Sequence, residues 1–391
     1  MFWEESDEKD YCIFVLVIAA SCIDPYTPNL KNYNSLLVVE GLITNENSSY
    51  KIKLCKTTKD ESSTPAKVTD ADVYFTDGDG IKTHLQNCGD GFYVTDAASF
   101  TGVIGQKYLL EINTNDGKEY RSEVCTMLPV AGIDAIYYEK GEEISGSMGE
   151  SFTGIKIFLN SAGAAEKNQY FRWAFEEVWK FILPNPPRYV LTSDSTFEEI
   201  PIVKDVCWKR NMSGEIVTNS ILPGKENYIN KQLITFIAPV KSDRLTQQYS
   251  ILVKQYSVSE KEYGFWNNLK KVSEAGGDIF SSQPYPVISN IYNVNDASEM
   301  VLGYFEVSAV AQKRIFITAS ELDPLYLPHY KTDCVEIVGS YGNWPNNDYI
   351  FVEPILDLNG KFLGFGFATK ACSICEYAGF NTKPDFWVDL E

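Results

Sequence analysis

The sequence predicts a mainly β protein, and three observations support this fold class. The chain contains 24 Tyr, 22 Phe and 7 Trp but only 2 His. Short runs rich in Val, Ile, Tyr and Phe recur along it and are separated by turn-forming Gly, Asn and Asp. Only one segment has convincing helical periodicity. We therefore expect an amino-terminal immunoglobulin-like or transthyretin-like β-sandwich, followed by a larger β-rich domain with one or few short helices.

Length and charge limit the possible domain count and partners. A chain of 391 residues is long enough for two or three domains. Its formal net charge is −19, and no basic stripe offsets it. Such a surface repels phosphate backbones and anionic lipid headgroups, so nucleic acid is not an expected partner.

Residues 1–21 are predicted to be a secretory signal peptide, although the first ten residues, MFWEESDEKD, are acidic where such a signal normally starts basic. An apolar run of ten residues, YCIFVLVIAA, ends in small residues directly before Cys22. As a helix this run would span about 15 Å, which is too short to cross a bilayer. The arrangement resembles a lipobox, in which Cys22 would be acylated and become the first residue. The alternative is a cytosolic chain in which the run is a buried first strand.

The rest of the chain divides into a tether and two folded parts. Residues 22–34 contain two prolines and predict an extended, lipidated tether. Residues 35–130 predict a β-sandwich of about seven strands, with hairpin turns at 77–80 and 115–118. Residues 131–391 show no obvious linker and predict one larger β-rich domain.

One helix is predicted within the larger domain. Ser259 can cap its amino terminus and Glu262 can complete a capping box. Aromatic and aliphatic side chains then recur at helical spacing, and the pair Gly276-Gly277 ends the helix. The remaining elements of this domain are expected to be strands.

Four cysteines of the larger domain are candidates for disulfide bonds, because an exported protein meets an oxidising compartment. They allow three pairings, and we favour bridges that tie the 372–375 segment to the two more distant cysteines. A four-cysteine zinc site and a redox-active C-x-x-C are the alternatives, but only one close pair is present and no helix is predicted after it. The candidates are Cys207, Cys334, Cys372 and Cys375.

No catalytic or metal-binding constellation is apparent. His84 and His329 lie in separate loops, and neither a phosphate-binding glycine loop nor a G-x-S-x-G elbow is present. Glu176 and Glu177 are adjacent on a predicted strand, so they should point to opposite faces, and we expect both to be solvated. We predict no cofactor and no metal ligands.

Aromatic residues supply the contact candidates. Phe171, Trp173 and Phe175 alternate along a strand and are expected to face a core. Tyr341 and Trp344 lie in a loop-like stretch and are the better candidates for contacting a partner, because large aromatic rings add contact area at low entropic cost.

Several short motifs lie across the whole chain from the end of the leader onwards. They are Ser21-Cys22 with Asp24-Pro25, LVVEGLI (37–43), LPV (128–130), IDAIYY (133–138), GYFEVSAV (303–310), Lys313-Arg314, Cys372, Cys375 and TKPDFW (382–387). With these motifs the chain resembles the DUF4249 family of Bacteroidota lipoproteins. The resemblance implies a surface-associated lipoprotein, often found alongside TonB-dependent outer-membrane receptors, with no established enzymatic activity and no catalytic residue to carry over.

Together these observations predict a non-catalytic lipoprotein, anchored to the outer membrane through Cys22, that acts as an accessory or binding partner of a TonB-dependent receptor system. We expect it at the cell surface, although the periplasmic face is open because only one acidic residue closely follows Cys22. The alternatives are a structural or adhesive surface lipoprotein and, less favoured, a secreted glycan or peptide hydrolase.

Overall fold

The chain is mainly β, which confirms the expected fold class. The structure is a computed structural model, and it describes residues 35–58, 63–96, 100–145, 149–163, 169–192, 196–221, 228–274, 287–332, 334, 336–340 and 345–390.

Twenty-four strands and four α-helices occur within those ranges. The strands of the amino-terminal third are β1 (Leu37–Ile43), β2 (Lys51–Lys56), β3 (Ala66–Lys67), β4 (Asp72–Asp77), β5 (Lys82–Asn87), β6 (Phe92–Val94), β7 (Lys107–Asn113), β8 (Glu119–Ser122) and β9 (Cys125–Thr126). The middle of the chain contains β10 (Ile133–Ser145), β11 (Glu150–Ala162), β12 (Gln169–Ile182), β13 (Tyr189–Leu191), β14 (Phe197–Glu199), β15 (Val206–Met212), β16 (Val217–Ile221), β17 (Tyr228–Ile237) and β18 (Gln248–Val258). The last third contains α1 (Glu260–Glu274), β19 (Ile291–Asn293), β20 (Leu302–Val307), β21 (Val310–Thr318), α2 (Ala319–Leu322), β22 (Ile337–Gly339), β23 (Tyr349–Leu356), β24 (Phe362–Thr369), α3 (Lys370–Ser373) and α4 (Cys375–Ala378).

The first β-body, defined here as β1–β9 with β19 and β20, is one folded sheet in the order β19-β8-β7-β4-β5-β6-β2-β1-β20, with β3 on β2 and β9 on β7. Every second residue of its main strands is buried in a single core, for example Val39, Leu54, Phe75 and Leu110. The predicted turn at 77–80 joins β4 to β5, and Gly80 takes a φ of +83°, which glycine adopts without strain.

Two strands of this body come from beyond the expected boundary at residue 130. β20 pairs with β1 in parallel, from Val38 opposite Leu302 to Ile43 opposite Val307, and β19 pairs with β8. Parallel strands need a crossover, and this one comprises the whole middle of the chain. Local sequence patterns carry no signal for such a distant pairing.

The second β-body consists of two facing sheets. One has the order β10-β11-β17, and the other has the order β15-β12-β18-β21, with β16 also on β12. Their inner faces share one core. Phe171, Trp173 and Phe175 of β12 are 1%, 1% and 5% exposed, so their predicted core position is confirmed.

A small third sheet, β22-β24-β23, lies at the end of the second β-body together with the β13–β14 hairpin. The hairpin packs on this sheet through Phe197, whose ring centroid is 5.7 Å from that of Phe351 and 5.5 Å from that of Phe362. Each ring in this group helps to cover strands that are too short to form a core alone.

The predicted helix is present as α1, and its amino terminus is where the sequence indicates. The backbone N–H of Glu262 donates to the Ser259 hydroxyl at 3.2 Å. The predicted stop at Gly276-Gly277 lies outside the described residues. None of the helices in the described ranges has the length and apolar character that crossing a bilayer would require.

The consecutive strands β20 and β21 run from the first β-body into the second, so the two β-bodies lie end to end. β20 begins beside Val38, near the predicted tether, and leaves the first β-body where Val307 lies opposite Ile43. β21 then continues along the second β-body for nine residues, which spans roughly 30 Å. The segment after β21 therefore lies at the end of the second β-body that is remote from the start of β1. We call this the distal end.

Candidate functional site

Two disulfide bonds tie the carboxy-terminal segment to the distal end. Cys207 on β15 pairs with Cys375 on α4, and Cys334 pairs with Cys372 on α3, with Cα–Cα distances of 5.5 and 5.9 Å. Both bridges reach the 372–375 segment, as expected; two of the three pairings have this property, and the structure has the one that joins Cys207 to Cys375. All four sulfur atoms are thus engaged with one another, in an arrangement that neither a zinc site nor a reduced C-x-x-C would have.

A groove runs between the Cys334–Cys372 bridge and the segment that follows β21. It consists of two adjoining cavities of about 450 and 360 Å³ that share Thr246 and Tyr330 in their linings. One wall contains both cysteines of the bridge, and the other contains the stretch Tyr326 to Tyr330. We call these two cavities together the distal groove.

The floor of the distal groove is rigidly organised around Asp243. One carboxylate oxygen accepts from the Trp179 indole N–H at 2.9 Å, and the other accepts from the Lys209 ammonium at 2.7 Å. The same ammonium lies 4.4 Å from the ring centroid of Phe181. Both oxygens of the Asp243 carboxylate accept hydrogen bonds, and the Lys209 ammonium is paired with it. These contacts hold the polar groups of the floor in place beside the Phe181 ring.

Tyr326 is the unusual residue at the rim of the distal groove. Its backbone lies in the left-handed region with φ of 50°, although it is not glycine, and its side chain is 87% exposed. The left-handed conformation costs a non-glycine residue about 1–2 kcal/mol. A large ring is thus held in solvent by strained backbone, which is the kind of feature that marks binding sites.

The other predicted site residues fall in several places. Cys22, Tyr341 and Trp344 lie outside the described residues. His329 lines the distal groove beside Tyr330, whereas His84 is exposed on β5, 3.7 Å from Asp72. The structure therefore separates the two histidines. Within the described ranges, no group of three or more His, Cys, Asp or Glu side chains is arranged to hold a metal ion.

A second cavity, of about 460 Å³, opens between β16, β17 and the end of α1. Glu143, Glu215 and Glu274 line it together with Lys270. Partial burial, and then the neighbouring carboxylates of Glu143 and Glu177, raise the pKa of Glu215. A carboxyl with a raised pKa that shares a cavity with a second carboxyl is an arrangement that glycoside hydrolases use.

Sequence reasoning placed Glu176 and Glu177 in solvent, and for Glu177 this was wrong. Glu177 is 2% exposed, and its carboxylate accepts from the Tyr249 hydroxyl and the Asn211 amide, each at 2.8 Å. Arg244 lies 3.3 Å away. The two glutamates do point to opposite faces of β12, because Glu176 pairs with Arg314 instead.

Sequence reasoning also missed a buried polar cluster where the two β-bodies meet. Glu262 of α1 is 3% exposed and Glu306 of β20 is 9% exposed. Arg172 of β12 donates to Glu306 at 2.8 Å, and its guanidinium carbon lies 4.5 Å from the ring centroids of both Tyr256 and Trp266. The capping-box pattern gave a signal for Glu262 at a helix start, but none for its burial.

The other cysteines among the described residues lie in the first β-body as free thiols. Cys55, Cys88 and Cys125 form no disulfide within the described part of the chain. Burial, and secondarily the Glu262 carboxyl, raise the pKa of Cys125 to about 12. That thiol is therefore protonated and unreactive at neutral pH.

The comparisons with known proteins identify the family and leave the activity open. No curated protein matches the chain. A family model described as a domain of unknown function, DUF4249, matches residues 23–314. This range covers both β-bodies and ends within β21, so the segment after β21 and the disulfide-tied carboxy terminus lie beyond it. Because the match covers most of the chain, the protein belongs to the DUF4249 family.

Proposed function

We propose that the protein is a non-catalytic lipoprotein of a Bacteroidota-type outer membrane, and that it binds a component of a TonB-dependent receptor system through the distal groove. The lipid on Cys22 would hold the two β-bodies at the membrane. The distal groove would contact either the receptor or its cargo. This role needs a rigid recognition surface and no chemical step.

The apolar leader that ends at Cys22 and the family assignment support the envelope location. The tether of residues 22–34 reaches at most roughly 45 Å, so a lipidated chain would stay close to the membrane. Confinement at a surface raises the effective concentration of a binding partner without any new contact. A modest groove would then be sufficient for stable association.

The proposal depends mainly on the exposure and the backbone conformation of Tyr326. Its exposure is not explained by packing, and its positive φ lowers the stability of the fold. Tyrosine rings at the centre of a contact are among the residues that contribute most to binding. The Cys334–Cys372 bridge and the Asp243 floor hold the opposite wall and the base in place, so a partner meets a preformed surface.

Replacing Tyr326 by glycine separates binding from stability. We expect Tyr326→Gly to keep or raise the Tm, because glycine adopts this φ without strain. We expect it to reduce the amount of receptor that co-purifies after gentle detergent extraction from the native host by about tenfold or more, as for an aromatic residue central to binding. Tyr292, 47% exposed on β19 of the first β-body, is the matched control, and Tyr292→Ala should co-purify as the wild type does.

Two results would argue against the proposal. If the wild-type protein is always recovered as a lone monomer, the receptor role is wrong. Self-association without any receptor, reduced by Tyr326→Gly, would instead favour the adhesive alternative. Intact mass from the native host tests the anchor separately, because residues 1–21 should be absent and an acyl mass should be present on Cys22.

The cavity lined by Glu143 and Glu215 favours one second candidate, a hydrolase of glycans or peptides. There the raised pKa of Glu215 would suit a general acid, with Glu143 as the second carboxyl of the cavity. Hydrolysis by the purified wild type that is lost in Glu215→Gln but kept in Tyr326→Gly would support this candidate and contradict the non-catalytic role.

A further inference from the structure

The contact between the two β-bodies contains a carboxyl pair that neither the sequence analysis nor the proposed function uses. We call this contact the junction. Glu262 on α1 is 3% exposed and Glu306 on β20 is 9% exposed. Ser308, whose hydroxyl donates to Glu262 at 3.2 Å, follows Glu306 by two residues, so both carboxyls lie in the same buried cluster. A buried carboxylate without a cation of its own is costly, so such a carboxyl keeps its proton.

The surrounding bonds show which carboxyl carries the proton. Glu306 accepts from the Arg172 guanidinium at 2.8 Å and from the Trp266 indole N–H at 3.2 Å, both at Oε2. These are the partners of an ionised carboxylate. Glu262 accepts from the Ser308 hydroxyl at 3.2 Å, a neutral and weaker partner. Glu262, whose carboxyl accepts from a hydroxyl, is therefore the carboxyl that keeps its proton, whereas Glu306 is paired with the Arg172 cation.

We propose that the proton that Glu262 keeps beside Glu306 acts as a lock on the junction, so that the two β-bodies are tightly coupled in mildly acidic surroundings and loosen as the pH rises. The lock joins α1, β12 and β20, which come from both bodies. The apolar part of the junction includes the buried Tyr256, Val258 and Val310 with partly buried neighbours, and the ring contact of Phe265 with Tyr304. The polar lock is buried among these contacts, so a change in its charge alters how firmly the bodies hold together.

The other charged and titratable groups around Glu262 are consistent with this proton. Burial first, and then the Glu306 carboxylate, raise the pKa of Glu262 well above its ordinary value of 4.5, although Arg172 opposes the shift. Tyr304 of β20 and Cys125 of β9 also face it, and burial together with Glu262 raises the pKa of each. Both therefore remain neutral. Arg172 is thus the cation that faces the pair.

The sign of the pH effect follows from proton binding. In the unfolded chain Glu262 releases its proton as the pH rises through 4.5, whereas the folded chain retains it up to the raised pKa. Between these values the folded state binds one more proton than the unfolded state. The stability contributed by this group is therefore complete below the unfolded pKa and falls as the pH rises, by up to tenfold in the folding equilibrium constant for each pH unit.

Glu262→Gln tests the lock, because glutamine stays neutral at every pH. Urea unfolding of the full chain is followed from about pH 5 to about pH 8, above the ordinary pKa of a glutamic acid side chain. We expect the wild type to lose stability relative to Glu262→Gln by about tenfold per pH unit over part of this range. Glu260 is exposed in the first turn of the same helix, and Glu260→Gln should keep the wild-type pH dependence.

Hydrogen exchange of the wild type gives a second measurement that does not depend on a variant. Protection factors of the α1 amides, which correct for the intrinsic pH dependence of exchange, should fall with rising pH more than those of β4 and β7 in the first β-body. An equal pH dependence in wild type and Glu262→Gln, or α1 protection that does not change with pH, would overturn the proposal. Neither result depends on the receptor or on lipidation.

Discussion

The two ends of the second β-body are stabilised by different means. At the junction, long strands such as β12 and β18 pair over eleven residues and enclose a buried polar cluster. At the distal end several elements are short, with three residues in β22 and four each in α3 and α4, and two disulfides join them to the rest. Helices of four residues have no stability of their own, so covalent bonds supplement strand pairing there.

The first β-body differs from the second in how it uses its cysteines. Its cysteines are free thiols within the described residues, although the other body of the same chain forms disulfides. Its strands are mostly six or seven residues long and are joined by tight hairpins, so neighbouring segments meet without a cross-link. Disulfides thus occur where short elements from distant segments must be held, whereas β20 reaches β1 through strand pairing without one.

The largest effect is expected from removing the Cys207–Cys375 bridge. This bridge closes a loop with a sequence separation of 168, against 38 for Cys334–Cys372. By loop-closure entropy we expect Cys207→Ala/Cys375→Ala to lower the free energy of unfolding by about 5 kcal/mol, and Cys334→Ala/Cys372→Ala by about 4 kcal/mol. Urea unfolding of both double variants measures the difference.

Cys88→Ala is the matched control, since Cys88 is an exposed free thiol and its loss should leave stability unchanged. A reducing agent should lower the stability of the wild type by at least as much as either double variant. If reduction has no effect, the distal end is held by packing alone and the contrast between the two ends is lost.

Local patterns were sufficient for much of the fold. The turn signal at 77–80 predicted the hairpin of β4 and β5, and Ser259 predicted the start of α1. The alternation of Phe171, Trp173 and Phe175 predicted one face of a core. Each of these depends on residues that are close in sequence. The distal groove could not be predicted in the same way, because its two walls come from separate segments and its loop aromatics are not periodic.

Two features could not be predicted from the sequence: the burial of charged side chains, and the pairing of strands that are far apart in the chain. β20 joins β1 across most of the chain, and only the folded structure brings Val38 opposite Leu302. Glu177 and Glu262 look like solvated acids, because glutamate is almost never buried unless it is paired. Their partners, such as Arg244 and Glu306, are distant in sequence, so no local signal reports them.

The next largest loss of stability is expected from replacing Arg172 at the junction. Arg172→Met keeps much of the apolar volume between Tyr256 and Trp266 but leaves Glu306 without its cation. Removing one partner of a buried ion pair costs about 3–5 kcal/mol, and we expect a loss of stability in this range. In the double variant Arg172→Met/Glu306→Gln, part of the loss should be recovered, because no buried charge remains. A double variant that is less stable than the single one would show that Glu306 has other partners that matter more.

The smallest effect is expected from a second ion pair that also crosses the junction. Lys254 of β18 lies 2.9 Å from Glu46, just after β1, and the two side chains are 30% and 28% exposed. Partly solvated charges gain little from pairing, so Lys254→Gln should cost less than about 1 kcal/mol, and the cost should fall as salt is added. Lys261 and Glu123 form a matched pair at 2.8 Å that is more exposed, at 74% and 47%, and Lys261→Gln should cost still less. If Lys254→Gln costs as much as Arg172→Met, then the number of contacts across the junction, and not the burial of its charges, determines how firmly the two β-bodies hold together.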